Sequence, residues 1–289
     1  MNPPQLTLLS PAKINLFLHI TGRRPDGYHN LQTVFQLIDL CDTLTFSTGG
    51  LPPGVLSLQC DQAAVPLDGN LILRAADLLR QHVGKPDLAA AVTLAKRIPM
   101  GGGLGGGSSN AAVTLRALNQ LWGLDLPQQT LMTLGLSLGA DVPVFVLGRN
   151  AWAGGVGELL QPLDLPTRHY LVLWPRVEVA TGDIFSHQQL TRDSAAIKIA
   201  DFLAGRVRND CENVVRKLVP EVDEALNWLG RFGKASLTGT GSCVFVGFDN
   251  LEEAKQVLGK VPARFQGFMA SSLNRLPAAS GCEIREKLE

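Results

Sequence analysis

Several things are scarce in this chain, and each scarcity removes a class of function. Net charge is missing: Lys and Arg total 26, as do Asp and Glu. A balanced chain lacks the basic footprint of a general nucleic-acid binder and of a polybasic membrane surface. No apolar run approaches the roughly 18 residues of a membrane span. Met1 to Ser10 carries no basic segment of the kind that opens a signal peptide. Cysteine is sparse and odd in number: Cys41, Cys60, Cys211, Cys243 and Cys282 are scattered, without a C-x-x-C pair or a histidine cluster. That spacing excludes a disulfide framework or zinc site and points to a reducing cytoplasm. Glutamate is absent before Glu158, so every earlier acid is an aspartate.

Glycine, by contrast, is abundant, at 30 of 289 residues. The length favours two domains. The shift in acidic residues, with Gly154, Gly155, Gly157, Pro162 and Pro166 nearby, places a boundary near residue 160, giving units 1–160 and 161–289. The first unit reads as a strand over Ala12 to Thr21, a turn at Pro25-Asp26-Gly27, and strands over Leu31 to Leu40 and Asp42 to Ser47. A helix over Asn70 to Val83, a strand over Ala90 to Lys96, a helix carrying Ala111, Leu115, Leu118 and Trp122 on one face, and a helix over Gln128 to Leu138 follow. The second unit mixes strands (Tyr170 to Trp174, Ser242 to Phe248) with helices starting near Asn213, Glu221 and Leu251. The fold class is α+β rather than a strict βαβ array.

Much of the glycine surplus sits in Pro99-Met100-Gly101-Gly102-Gly103-Leu104-Gly105-Gly106-Gly107-Ser108-Ser109. Such a run costs backbone entropy and is tolerated where the main chain must approach something closely. It leads into a helix, with Ser108 and Ser109 as candidate caps, and free N–H groups at a helix start form an anion site. Gly101, Gly103 and Gly106 satisfy G-x-G-x-x-G, but no suitably placed acidic residue ends a second strand. Asp125, at about the right spacing, sits in a turn. A Walker A Gly-Lys-Ser/Thr and the protein-kinase motifs are absent. Lys13, inside an apolar strand, reads either as a solvated edge residue or as a functional cation. Asp141, just past Gly139, reads either as a cap for the next turn or as a functional carboxylate.

Three ordered segments resemble the GHMP kinases. They are Pro11-Ala12-Lys13-Ile14-Asn15-Leu16, the glycine loop, and Leu237-Thr238-Gly239-Thr240-Gly241-Ser242-Cys243. Within the family, Gly22 to Gln32 and Gly139 to Phe145 are similar to the branch that phosphorylates a cytidine-diphosphate-linked polyol in non-mevalonate isoprenoid synthesis. The resemblance implies a two-domain fold: an N-terminal ATP-binding domain with a left-handed βαβ unit, and a C-terminal ferredoxin-like domain. It implies Asp141 as catalytic base and Lys13 as its electrostatic partner, with residues Pro99 to Ser109 on the ATP phosphates. It implies Asn15, Tyr28, His29, Thr181, Phe185, Gly239 and Thr240 on the substrate, Tyr28 and Phe185 stacking on cytosine and His29 bonding its edge.

ATP is the expected cosubstrate, bringing Mg2+ with it. Several family members hold the metal with a glutamate between the loop helix and the aspartate, where this chain offers only Asp125, so no dedicated protein metal site is expected; Ser108 or Ser109 could assist. The expected partner is a small molecule, with no nucleic acid or membrane, and the expected assembly a monomer or weak homodimer. Rival readings are a homoserine- or mevalonate-type kinase, a catalytically silent nucleotide-binding module, and a dinucleotide-dependent oxidoreductase.

Overall fold

The computed structural model describes residues 5–63 and 65–276; Cys282 lies outside them. The elements run β1 (Gln5–Arg23), β2 (His29–Ser47), β3 (Leu56–Cys60), α1 (Leu71–His82), β4 (Ala90–Ala95), α2 (Gly106–Leu121), α3 (Gln128–Leu138), α4 (Val142–Leu147), β5 (Ala151–Gly154), β6 (Leu159–Pro162), β7 (His169–Trp174), α5 (Thr181–Ser186), α6 (Ile199–Leu203), α7 (Glu212–Leu218), α8 (Pro220–Leu229), β8 (Ser236–Leu237), β9 (Val244–Phe248), α9 (Leu251–Leu258) and β10 (Gln266–Leu273). Among the described residues no helix is long and apolar enough to cross a membrane.

β1 and β2 form a long antiparallel hairpin whose register shifts between Pro11 and Ala12, Asn15 and Leu18, and Ile20 and Gly22. Such irregularities re-aim side chains, and Lys13 and Asn15 lie between two of them. β2 is one strand, not the two that its polar interruption at Asp39 to Asp42 suggested. Asp42 is tolerated there because its carboxylate is buried and paired. The parallel pair β3 and β4 is joined through α1. Asn70 caps α1, its side chain accepting from the Ile72 N–H. The apolar stretch Val142 to Leu147 is a helix, with Pro143 in its first turn, where a missing N–H costs nothing.

In the second half the order β7, α7–α8, β8, β9, α9, β10 folds into an antiparallel sheet arranged β10-β7-β9-β8. That is the 4-1-3-2 arrangement of a ferredoxin-like unit, as expected. β10 also pairs with β2 through Ser272–Ile38 and Leu273–Leu37, so one sheet runs through both halves. Each half has its own apolar core. A third cluster, with Ile14, Ile38, Leu104, Tyr170, Val172 and Cys243 among its members, fills the junction. The cleft walls therefore stand on packed side chains from both halves.

Candidate active site

The glycine loop leaves β4 and enters α2 without a side-chain cap. Gly105, in the left-handed region at φ 70°, is the N-cap residue, so neither Ser108 nor Ser109 caps the helix as expected from sequence. The reason is local: a left-handed glycine turns the chain directly into α2, leaving both serines inside its first turn. Gly103 explains why a side chain is excluded. At φ 72°, a Cβ there would lie 2.3 Å from the Thr238 carbonyl oxygen.

That oxygen belongs to the second small-residue loop, which joins β8 to β9 and pairs with the first. Cys243 N–H donates to Gly102 O (3.1 Å) and Ser242 N–H to Gly101 O (3.3 Å). Thr238 Oγ1 donates to Gly103 O (3.3 Å) and accepts from the Asn15 N–H (3.0 Å). Asn209 holds this loop from behind, donating to the Leu237 and Gly239 carbonyls at 2.9 and 2.8 Å. The juxtaposition of the two loops is therefore built largely from main-chain bonds. Cys243 is wholly buried at the contact, and burial pushes its thiol far above the usual range.

Behind the glycine loop lies a polar core that the sequence did not mark. Asp42, fully buried, takes Lys96 Nζ at 2.9 Å, the Arg97 and Ile98 N–H groups at 2.7 and 2.8 Å, and Asn110 Nδ2 at 3.1 Å. Ser10 Oγ donates to Asn110 Oδ1 (2.7 Å) and lies 2.8 Å from Ser109 Oγ. Ser109 is thus committed to this buried network, and its N–H is given to Gly105 O. Of the two serines, Ser108 alone lines the cavities.

Lys13 is 3% exposed, which excludes the solvated-edge reading, and its ammonium lies 3.2 Å from Asp141 Oδ2. It also donates to Asn15 Oδ1 at 2.6 Å, and its N–H bonds the Leu104 carbonyl at 2.9 Å, tying β1 to the glycine loop. Asn15 Nδ2 donates onward to Thr33 Oγ1 (2.9 Å). Asp141 stands at the start of α4 but makes no capping bond with its side chain, which remains one-third exposed and faces Lys13. The carboxylate is thus open to a ligand while its counter-ion is buried.

Two cavities adjoin at the glycine loop, and the pair lines the first of them. One, of about 460 Å³, is lined by Lys13, Asn15, Tyr28, His29, Asp141, Thr181, Phe185, Gly239 and Thr240 among others, so every sequence-derived catalytic and substrate residue faces one space. The other, of about 400 Å³, is lined by residues 99–108 with Asn70, Leu94 and Lys96. Gly103, Gly105 and Ser108 line both. Thr181 and Thr240 hydroxyls are 3.0 Å apart in the first cavity.

The aromatic end of the first cavity is arranged by more than the expected residues. Tyr28 is 63% exposed at the rim. Phe185 stacks on His29, with centroids 5.2 Å apart and planes inclined by 28°. Arg192 Nε donates to His29 Nε2 at 3.2 Å. Burial, then the Arg192 and Arg23 charges, lower the His29 pKa.

Among the described residues no three His, Cys, Asp or Glu side chains come together to hold a metal ion. Ser108, which lines both cavities, and Asp141, which lines the first, suit an ion that arrives already bound to phosphates.

Known proteins resemble this chain in sequence and fold. The family model described as "GHMP kinases N terminal domain" matches residues 70–149, and "GHMP kinases C terminal" matches residues 189–267. A 4-diphosphocytidyl-2-C-methyl-D-erythritol kinase of Hahella chejuensis is 50% identical over 287 residues, covering 96% of both chains. One of Alkalilimnicola ehrlichii is 54% identical, covering 91% of this chain and 90% of its own. A crystal structure of 4-(cytidine 5'-diphospho)-2C-methyl-D-erythritol kinase superposes with a TM-score of 0.78 at 32% identity, over 92% of this chain and 98% of that one. A homoserine kinase from Cytophaga hutchinsonii shares the fold, with a TM-score of 0.70 at 16% identity, over 97% and 98% of the two chains.

Proposed function

This chain belongs to the GHMP kinase family, and from that premise we propose that it transfers the γ-phosphoryl group of ATP to the 2-hydroxyl of 4-diphosphocytidyl-2-C-methyl-D-erythritol. It is a small-molecule kinase of isoprenoid precursor synthesis. The observation that carries the site assignment is the Lys13–Asp141 pair in the first cavity, which shares Gly103, Gly105 and Ser108 with the second.

Phosphoryl transfer asks the protein mainly for positioning and charge neutralisation. Glycine-loop N–H groups and the start of α2 receive the polyphosphate in the second cavity. Asn70, Leu94 and Lys96 line that cavity beyond the loop, where the adenine would lie. In the first cavity Tyr28, His29 and Phe185 take the cytosine, stacking and reading its edge. Thr181, Gly239 and Thr240 lie between that end and the glycine loop, suited to the diphosphate. Asp141 accepts the hydroxyl proton as the oxygen attacks phosphorus. Lys13 pairs with the carboxylate and offsets charge on the transferring group. Ser108 and Asp141 would hold Mg2+ arriving on the phosphates, which would add charge neutralisation.

This reading needs one chain, because both cavities are lined within it. It involves neither nucleic acid nor membrane, and its setting is the cytoplasm. A homoserine- or mevalonate-type activity offers no use for the aromatic end, and a silent module offers none for Lys13 opposite Asp141. The experiment is an ADP-release assay against these three alcohols.

A further inference from the structure

Arg192 is the residue at the aromatic end that neither the sequence reading nor the family motifs single out. Its guanidinium spends four bonds on one small region. Nη2 donates to the Phe185 and His187 carbonyls, both at 2.8 Å, Nη1 to the Leu190 carbonyl at 3.2 Å, and Nε to His29 Nε2 at 3.2 Å. One of these holds the last turn of α5 at Phe185, two hold the chain that follows it, and the fourth reaches across to the first residue of β2. The ring that stacks on His29, Phe185, is thereby held by the same cation.

The chemistry of this contact has a definite consequence. A guanidinium has five N–H donors, no acceptor, and does not deprotonate. A nitrogen that receives its hydrogen bond must present a lone pair. His29 Nε2 is therefore unprotonated, and a neutral imidazole must then carry its hydrogen on Nδ1. The adjacent Arg192 and Arg23 charges, together with burial, oppose protonation of the ring. Nδ1 has no hydrogen-bond partner among the described residues, while the residue itself lines the substrate cavity. His29 thus offers one ring donor and no ring acceptor.

Resting on the substrate reading above, we propose that Arg192 is a positioning residue that sets base specificity, by fixing His29 as an Nδ1–H donor that accepts cytosine and rejects uracil. Cytosine N3 bears a lone pair, whereas uracil N3 bears a hydrogen. A fixed donor meets the first and is opposed by the second. A histidine free to exchange its proton between nitrogens could serve either base. Arg192 acts through His29 and touches no reacting atom.

The test has two arms. In the first, 15N-histidine spectra of the ligand-free wild-type protein, with His29→Ala used to assign the signal, report the tautomer without requiring activity. A pyrrole-like Nδ1 and pyridine-like Nε2 for His29 are expected; an Nε2–H tautomer overturns the proposal. In the second, kcat/KM is compared for the cytidylyl substrate and its uridylyl analogue. Arg192→Met is expected to move His29 toward Nε2–H and raise KM for the cytidylyl substrate with KM for ATP unchanged. It should also lower the cytosine-over-uracil preference by about tenfold, the worth of one such hydrogen bond. A folded Arg192→Met protein with unchanged preference or unchanged tautomer overturns the proposal. If that variant does not fold, the wild-type spectrum still decides. Absence of turnover on either nucleotide in the wild type would reject the substrate reading, and the spectrum separates that failure from failure of the Arg192 role.

Discussion

Lys13 and Asp141 lie 3.2 Å apart, one nearly inaccessible on an irregular strand and the other one-third exposed ahead of a six-residue helix. The asymmetry suits their roles: the cation stays put while the carboxylate meets an incoming hydroxyl. Asp141→Asn removes the base and Lys13→Met removes the charge with similar bulk. Each should lower kcat by about 10²–10⁴-fold, the usual worth of a positioned acid or base. Thermal unfolding should show both variants folded; near-normal turnover in either would refute the assignment.

Asp42 and Lys96 are both buried and lie 54 positions apart in the sequence. Asp42→Ala strands the ammonium and two N–H groups. It should cost roughly 3–5 kcal/mol of stability, the range for breaking one side of a buried pair. In denaturant melts the midpoint should fall sharply, and KM for ATP should rise in whatever protein still folds. A melt like wild type would show that the pair does not hold the loop.

Gly103→Ala places a methyl group against the Thr238 carbonyl in a left-handed backbone position. The loss should exceed about 1 kcal/mol, and KM for ATP should rise because the loop must shift. Gly84→Ala is the comparison: it shares the positive φ but has open space at its Cβ position. Its cost should be smaller, with KM for ATP unchanged. Equal effects from the two would contradict close loop packing.

Tyr28 and His29 line the first cavity and not the second. Combined Tyr28→Ala and His29→Ala should raise KM for the cytidylyl substrate at least tenfold more than KM for ATP, about 1.4 kcal/mol of selective binding. Parallel increases in both constants would reject the division of labour.

His19 is buried with neither ring nitrogen hydrogen-bonded. Burial lowers its pKa from 6.5, against the Asp210 charge and with a further lowering by Arg208. The unfolded chain keeps the ordinary value, so below 6.5 the unfolded state takes the proton first. Stability from this group is complete above that pH and declines as pH falls toward the depressed folded pKa. His29 contributes with the same sign. Urea midpoints at about pH 8 and about pH 5.5 should differ less in His19→Phe than in wild type; an unchanged difference would contradict a neutral buried imidazole.

Legibility followed locality. α1, α2 and α3 were readable because their apolar spacing lies within one segment, and the glycine loop because its composition is extreme. β3, β5 and β6 are five residues or fewer, too short for alternation to speak. Asp42 interrupts an apolar strand and reads as a break until its partner, Lys96, arrives from another strand. Arg192 and His29 are 163 residues apart, and no local pattern signals a bond that only the closed fold creates. Ser109 misled for the same reason, since Ser10 is its partner from 99 residues earlier.

The most direct measurement is ATP-dependent ADP release by the purified protein with 4-diphosphocytidyl-2-C-methyl-D-erythritol, homoserine and mevalonate, followed by phosphorus NMR of the product. The account predicts turnover with the cytidylyl alcohol alone and a new phosphomonoester on its 2-hydroxyl. Turnover with homoserine or mevalonate, or none with the cytidylyl alcohol, would contradict it.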